Sequence, residues 1–140
     1  MHLLIVEDEP LMAQRLTRMC REILGPGRPA PRVVASHEAA AAVLKEFPID
    51  ALLLDLKVQD VDGMELLKRT VAASFHTIIV SADAERALEA FAFGAIDFVP
   101  KPFTRERLAQ ALRRVAEADG RGPRAARRLA PPARIGQRDA

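Results

Sequence analysis

The sequence predicts an α/β domain of five strand–helix repeats, with a parallel sheet buried between two layers of helices. Three observations lead there. Short apolar runs alternate with longer segments whose apolar residues recur at helical spacing. Turn-forming Gly and Pro residues punctuate the joins between them. Strands with apolar residues at successive positions need cover on both faces, and a parallel sheet with crossover helices supplies that cover.

The first strand is read at Leu3-Leu4-Ile5-Val6, and the helix after it from Met12, Leu16, Met19 and Ile23. Gly25-Pro26-Gly27 ends that helix. Val33-Val34-Ala35 forms a second buried strand, followed by a helix carrying Ala40, Val43, Leu44 and Phe47 and closed by Pro48. Ala51-Leu52-Leu53-Leu54 is the third strand, and Met64, Leu67 and Val71 mark the helix beyond it. Thr77-Ile78-Ile79-Val80 is the fourth, with Leu88 and Phe91 on its helix and Gly94 at the C-terminal cap. Ile96-Asp97-Phe98-Val99 is the fifth, and its helix carries Leu108, Leu112 and Val115. Thr104 is placed to cap that helix, but Arg107 stands where a capping box needs Glu or Gln.

Residues 1–118 carry a net charge of −2 and residues 119–140 a net charge of +4. The basic character therefore belongs to the end of the chain, where Gly120, Pro123, Arg127, Arg128, Pro131 and Pro132 show no apolar periodicity. Residues 1–118 are expected to form the domain, and 119–140 a linker or tail. A folded part without net positive charge argues against a nucleic-acid-binding domain. A single cysteine, Cys20, excludes an internal disulfide and a cysteine-rich zinc site; it is expected to pack in a helix. His2, His37 and His76 show no metal-ligand spacing. No membrane span and no signal peptide are recognised, so the cytoplasm is the expected location.

Open parallel sheets place their working sites outside the carboxyl ends of the strands. The residues there are Glu7-Asp8-Glu9 after the first strand, Asp55 after the third, Ser81 after the fourth and Lys101-Pro102 after the fifth. Carboxylates gathered so closely repel one another and call for a cation. An all-oxygen donor set suits a hard ion such as Mg²⁺. A carboxylate beside such an ion and a lysine is equipped to attack phosphorus, with both cations neutralising charge on the transferred group. Glu9 is read as a residue of the first helical turn that complements the helix dipole.

Leu4-Ile5-Val6-Glu7-Asp8-Glu9-Pro10, Leu53-Leu54-Asp55-Leu56 leading to Asp62-Gly63, Ser81-Ala82, and Lys101-Pro102-Phe103 together resemble the receiver domain of two-component response regulators. The segment Ala82–Phe91 running into Gly94-Ala95-Ile96-Asp97-Phe98 is most similar to the LytTR (LytR/AlgR) class. The resemblance covers about residues 1–118. It implies a flavodoxin-like (βα)5 three-layer sandwich with strand order 2-1-3-4-5. It implies that Asp55 accepts a phosphoryl group from a phosphohistidine of a sensor histidine kinase. Mg²⁺ would be held by Glu7, Asp8, Asp55 and the Lys57 carbonyl. Lys101, next to a cis peptide bond to Pro102, would pair with the phosphate, and Ser81 and the Ala82 backbone would contact it. Phe98 would be the aromatic switch that carries the change to the face of helix four, strand five and helix five, through which a homodimer is possible. The chain would catalyse transfer onto itself and slow hydrolysis, without turning over a small molecule. DNA would be reached only through an effector domain absent from this chain, as a transcription regulator.

Two departures stand out. Val58-Gln59-Asp60 replaces the family's Met-Pro-Gly stretch, and Phe98 replaces a tyrosine. The altered loop leaves an alternative open: a degenerate receiver that folds and acts as a phosphorylation-independent interaction module. A phosphatase of the haloacid dehalogenase type is disfavoured, because that chemistry needs a second Asp where this chain has Lys57.

Overall fold

The computed structural model describes residues 1–70 and 72–120. Val71, expected on the third helix, and the tail beyond Gly120 lie outside the described residues. Five parallel strands form the sheet: β1 (Leu3–Val6), β2 (Arg32–Val34), β3 (Ala51–Leu54), β6 (His76–Ser81) and β7 (Asp97–Pro100), in the order β2-β1-β3-β6-β7. Counting only these five, the order is the expected 2-1-3-4-5. The helices are α1 (Pro10–Leu24), α2 (His37–Glu46), α3 (Met64–Arg69), α4 (Ala87–Ala92) and α5 (Arg105–Ala118).

Side chains alternate across a strand, so each apolar run serves two cores. From β3, Ala51 and Leu53 join Ile5, Ile78, Leu16, Leu108 and Leu112 beneath α1 and α5. Leu52 and Leu54 join Leu4, Ile79, Ala40, Met64 and Leu67 on the opposite side. Cys20 is fully buried in the first cluster, and burial pushes its thiol up to about 12, so it is a packing residue with little thiolate character.

Helix ends follow local chemistry. Pro10 opens α1, Gly25 closes it at φ 89°, and Gly94 turns the chain at φ 97° after α4. Ser36 caps α2 by accepting from the Ala39 N–H, and Thr104 caps α5 by accepting from the Arg107 N–H. Glu9 is the N-cap of α1, accepting from the Met12 N–H at 2.8 Å, rather than a residue of its first turn.

Three expectations need correction. The strand at Val33-Val34 is not buried: β2 is the sheet's edge, and Val33 is 44% exposed. An apolar run cannot distinguish an edge from a centre, because edge position follows from strand order. Leu88 and Phe91 share helical spacing yet face outward, at 85% and 44% exposure, while Ala90 turns to the core. The segment after Asp55 is also not an open loop. Lys57–Val58 (β4) and Val61–Asp62 (β5) pair as an antiparallel hairpin, with Gln59 and Asp60 both at positive φ in its turn. Among the described residues, no helix is long and apolar enough to cross a membrane.

Candidate functional site

The sheet ladder itself delivers the site residues. One residue beyond the strands, the Glu7 N–H donates to the Val34 carbonyl and the Asp55 N–H to the Val6 carbonyl. The Lys101 N–H donates to the carbonyl of Ser81, the last residue of β6. Glu7, Asp55, Ser81 and Lys101 are thereby held at one edge of the sheet by backbone bonds. The Lys101–Pro102 peptide is cis.

At the centre, Lys101 Nζ donates to Glu7 Oε1 and to Asp55 Oδ2, each at 2.9 Å. The other oxygens are engaged too: Glu7 Oε2 accepts from the Glu9 N–H, and Asp55 Oδ1 from the Lys57 N–H at 3.1 Å. Burial raises the Glu7 carboxyl above the ordinary range, and the Asp55 charge adds to that; the hydrogen bond from Lys101 opposes it. Burial works against the Lys101 charge, but hydrogen bonds to Asp55 and Glu7 outweigh it and hold the ammonium above its usual value. Asp8 lies on the outer side, where its Oδ2 accepts from the Gln59 N–H at 2.7 Å and so ties β1's end to the β4–β5 turn.

These residues open into a cavity of about 550 Å³ whose lining includes Asp55, Lys57, Ser81, Ala82, Arg86 and Lys101. Glu7 sits behind Lys101 with its side chain only 2% exposed. Ser81 is buried, and its Oγ accepts from the Asp83 N–H at 3.1 Å. Phe98 is packed in the core with Ile79, Ala90 and Ala95. Among the described residues, no three His, Cys, Asp or Glu side chains converge closely enough to hold a metal alone. The donor chemistry still fits a hard cation of the Mg²⁺ kind. Such an ion takes one or two carboxylates and completes its shell with backbone carbonyl, water and phosphate oxygens. Asp55 and Asp8 are both tied to the Lys57–Gln59 backbone.

Sequence reasoning missed two residues here. His37 is buried beneath the Asp55 backbone, its Nε2 3.2 Å from the Asp55 carbonyl oxygen. A carbonyl only accepts, so Nε2 carries the proton; Nδ1 is buried with no partner among the described residues. A Cβ at Gly63 would stand 2.8 Å from that Nε2 and 3.1 Å from the Asp55 carbonyl. Gly63→Ala is therefore expected to displace the ring and cost about 1–3 kcal/mol in urea melts; an unchanged midpoint would refute the contact. The second missed residue is Arg86, which donates to Asp62 at 2.8 Å across the cavity rim. No periodicity links either residue to Asp55; only the folded chain does.

An α/β sandwich with an acidic pocket, a serine and a lysine at the carboxyl edge of its parallel sheet is the architecture of a signalling receiver. The chain belongs to the response regulator receiver domain family, whose sequence profile matches residues 3–113. It is 33% identical over 118 residues to the positive alginate biosynthesis regulatory protein of Pseudomonas aeruginosa, covering 83% of this chain and 47% of that one. It is 30% identical over 125 residues to the sensory transduction protein LytT of Enterococcus faecalis, covering 86% and 50%. Among solved structures, the response regulatory domain of MrkE from Klebsiella pneumoniae matches with a TM-score of 0.73 at 25% identity, over 84% of this chain and 97% of that one. The receiver domain of NtrX from Brucella abortus matches with a TM-score of 0.70 at 26% identity, over 82% and 98%. The chain spans about half the length of the curated relatives it matches.

Proposed function

We propose that this receiver is a phosphorylation switch and that Asp55 is its acceptor. The observation that carries the reading is the Asp55 carboxylate held 2.9 Å from the Lys101 ammonium, at the floor of a cavity that Ser81 also lines. The donor is a phosphohistidine on a sensor histidine kinase. An Asp55 carboxylate oxygen forms the new O–P bond, the P–N bond breaks, and the imidazole nitrogen leaves with that electron pair and takes up a proton. Lys101 neutralises the charge that develops on the phosphoryl oxygens, and Glu7 keeps Lys101 in place. Ser81 and the Ala82 N–H turn to the phosphoryl oxygens afterwards.

Asp8, Asp55 and the Lys57 carbonyl, with Glu7 alongside, would hold Mg²⁺. When bound, the ion supplies charge neutralisation at the transferred group. The chain takes the phosphoryl group onto its own Asp55, and water slowly hydrolyses that acyl phosphate back to the carboxylate and inorganic phosphate, so it acts as a cytoplasmic switch and not as a turnover enzyme. Phe98 links the site to α4, β7 and α5, and the exposed Leu88 and Phe91 support a homodimer formed through that face. Because the relatives are about twice as long and include transcriptional regulators, we assign DNA binding to an effector domain outside the matched region.

The test is intact-mass measurement after incubation with Mg²⁺ and acetyl phosphate, beside Asp55→Ala. One added phosphoryl group, dependent on Mg²⁺ and absent from the variant, is expected. No added mass on folded protein would overturn the reading. It would favour the interaction module, in which Asp8 remains committed to the Gln59 N–H.

A further inference from the structure

Two segments wall the cavity above Asp55: the β4–β5 hairpin on one side, and the turn that follows Ser81 on the other. Among the described residues, one ion pair joins them. Arg86 Nη1 donates to Asp62 Oδ1 at 2.8 Å, while its Nε and Nη2 donate to Glu89 Oε1 at 3.2 and 3.0 Å. The two carboxylates fix the guanidinium from both sides. Asp62 is itself anchored, because the same Oδ1 accepts from the Met64 N–H at 3.0 Å at the start of α3. Both Asp62 and Arg86 line the cavity, and their side chains are 53% and 24% exposed. A pair this exposed is weak and salt-sensitive, so it can open and close without unfolding anything.

We propose that the Arg86–Asp62 pair is a strap across the mouth of the Asp55 cavity that sets how long a phosphoryl group survives on Asp55. The inference rests on the acceptor role proposed above. Hydrolysis needs a water in line with the bond from Asp55 to phosphorus. That water must enter between the hairpin and the turn after Ser81. The closed strap holds these walls together and limits the approach; the open strap lets them part. The Glu89 contact spans only three residues, from the residue before α4 into that helix, and cannot bridge the walls. Arg86 is a positioning residue here, acting through the two segments it joins.

The role is separable from capping. Asp62→Asn keeps an oxygen to accept from the Met64 N–H but removes the charge, and Arg86→Gln removes the other charge. The experiment phosphorylates wild type, both variants and the double variant with acetyl phosphate and Mg²⁺, removes the donor, and follows loss of the phosphoryl group by intact mass. Each single variant is expected to shorten the lifetime about twofold to fivefold, the range that breaking an exposed pair gives. The double variant should be no shorter-lived than the singles, and Arg86→Lys should recover most of the loss. Raising the salt should shorten the wild-type lifetime and leave the double variant's unchanged. Unchanged lifetimes in either single variant, or additive effects in the double, overturn the strap. So does a longer lifetime in Asp62→Asn, which would mean that a freed Arg86 grips the phosphoryl group instead. If wild type takes up no phosphoryl group, the acceptor reading fails and the strap with it; uptake with unaltered lifetimes overturns the strap alone.

Discussion

Lys101→Ala is expected to slow phosphoryl uptake from acetyl phosphate by about 10²–10³-fold, the usual loss when one charge-stabilising donor leaves a reaction site. It is also expected to destabilise the fold. Lys101 is the counter-ion of Glu7, whose side chain is 2% exposed, and its removal leaves that carboxylate buried beside Asp55. Breaking a buried pair costs about 3 kcal/mol at the lower end of the usual range. That end applies here because Lys101 is itself 18% exposed, so water can partly replace it. The pH dependence identifies the group. Glu7 already titrates above the ordinary range, first because it is buried, and it should move further up without Lys101. A carboxyl raised in the folded state binds its proton there while the unfolded chain has lost it. Stability therefore falls as pH rises from the unfolded value of about 4.3 to the folded one. The deficit of the variant should be larger at pH 8 than at pH 4.5 in urea melts. Equal deficits would show that Glu7 is not the group left stranded.

Asp97→Ala is expected to cost about 3 kcal/mol, or roughly 10 °C in thermal midpoint for a domain of this size. Asp97 begins β7 with its side chain 4% exposed, and Arg107 from α5 grips both its oxygens at 2.9 and 2.7 Å. Its Oδ1 also accepts from the Phe98 N–H, and Arg107 donates onward to the Phe98 carbonyl at 3.0 Å. Alanine strands one buried N–H and most of a guanidinium. Asparagine keeps the acceptor for Phe98 and should lose about half as much. Burial opposes the Asp97 charge, but the Arg107 hydrogen bonds outweigh it and hold its pKa below the ordinary value. The contribution is therefore fully present above about pH 3.9 and fades as pH falls through the lower folded value. Wild type and variant should converge only in that acidic range. A gap unchanged down to pH 2 would mean that the loss is packing and not charge.

Asp97 also shows where the sequence stops being legible. It lies inside the run read as the fifth strand, Ile96-Asp97-Phe98-Val99, and nothing local marks it as half of an ion pair. Its partner is ten residues away on α5, and only packing of α5 against β7 brings Arg107 onto it. Asp55 and Lys101 differ because Asp55 comes one residue and Lys101 two residues after the end of an apolar run, and the parallel arrangement gathers such positions at one edge. Glu7 is a mixed case. Its place at that edge follows from β1, but its position behind Lys101 depends on a lysine 94 residues later. The helix-cap roles divide in the same way. Thr104 was readable from local chemistry, whereas the three acidic residues after β1 took separate roles: Glu7 turned inward to Lys101, Asp8 accepted from the Gln59 N–H, and Glu9 capped α1.

The five strands, their parallel sense and the residues at their carboxyl ends were all legible in the chain, because apolar runs and helical spacing are local signals repeated along it. Tertiary structure alone decided that β2 is an edge, that Leu88 and Phe91 face outward, that His37 lies under Asp55 and that Arg86 reaches Asp62. Each of these depends on which elements become neighbours. A polar side chain or an edge strand carries no periodic mark of the neighbour it will meet.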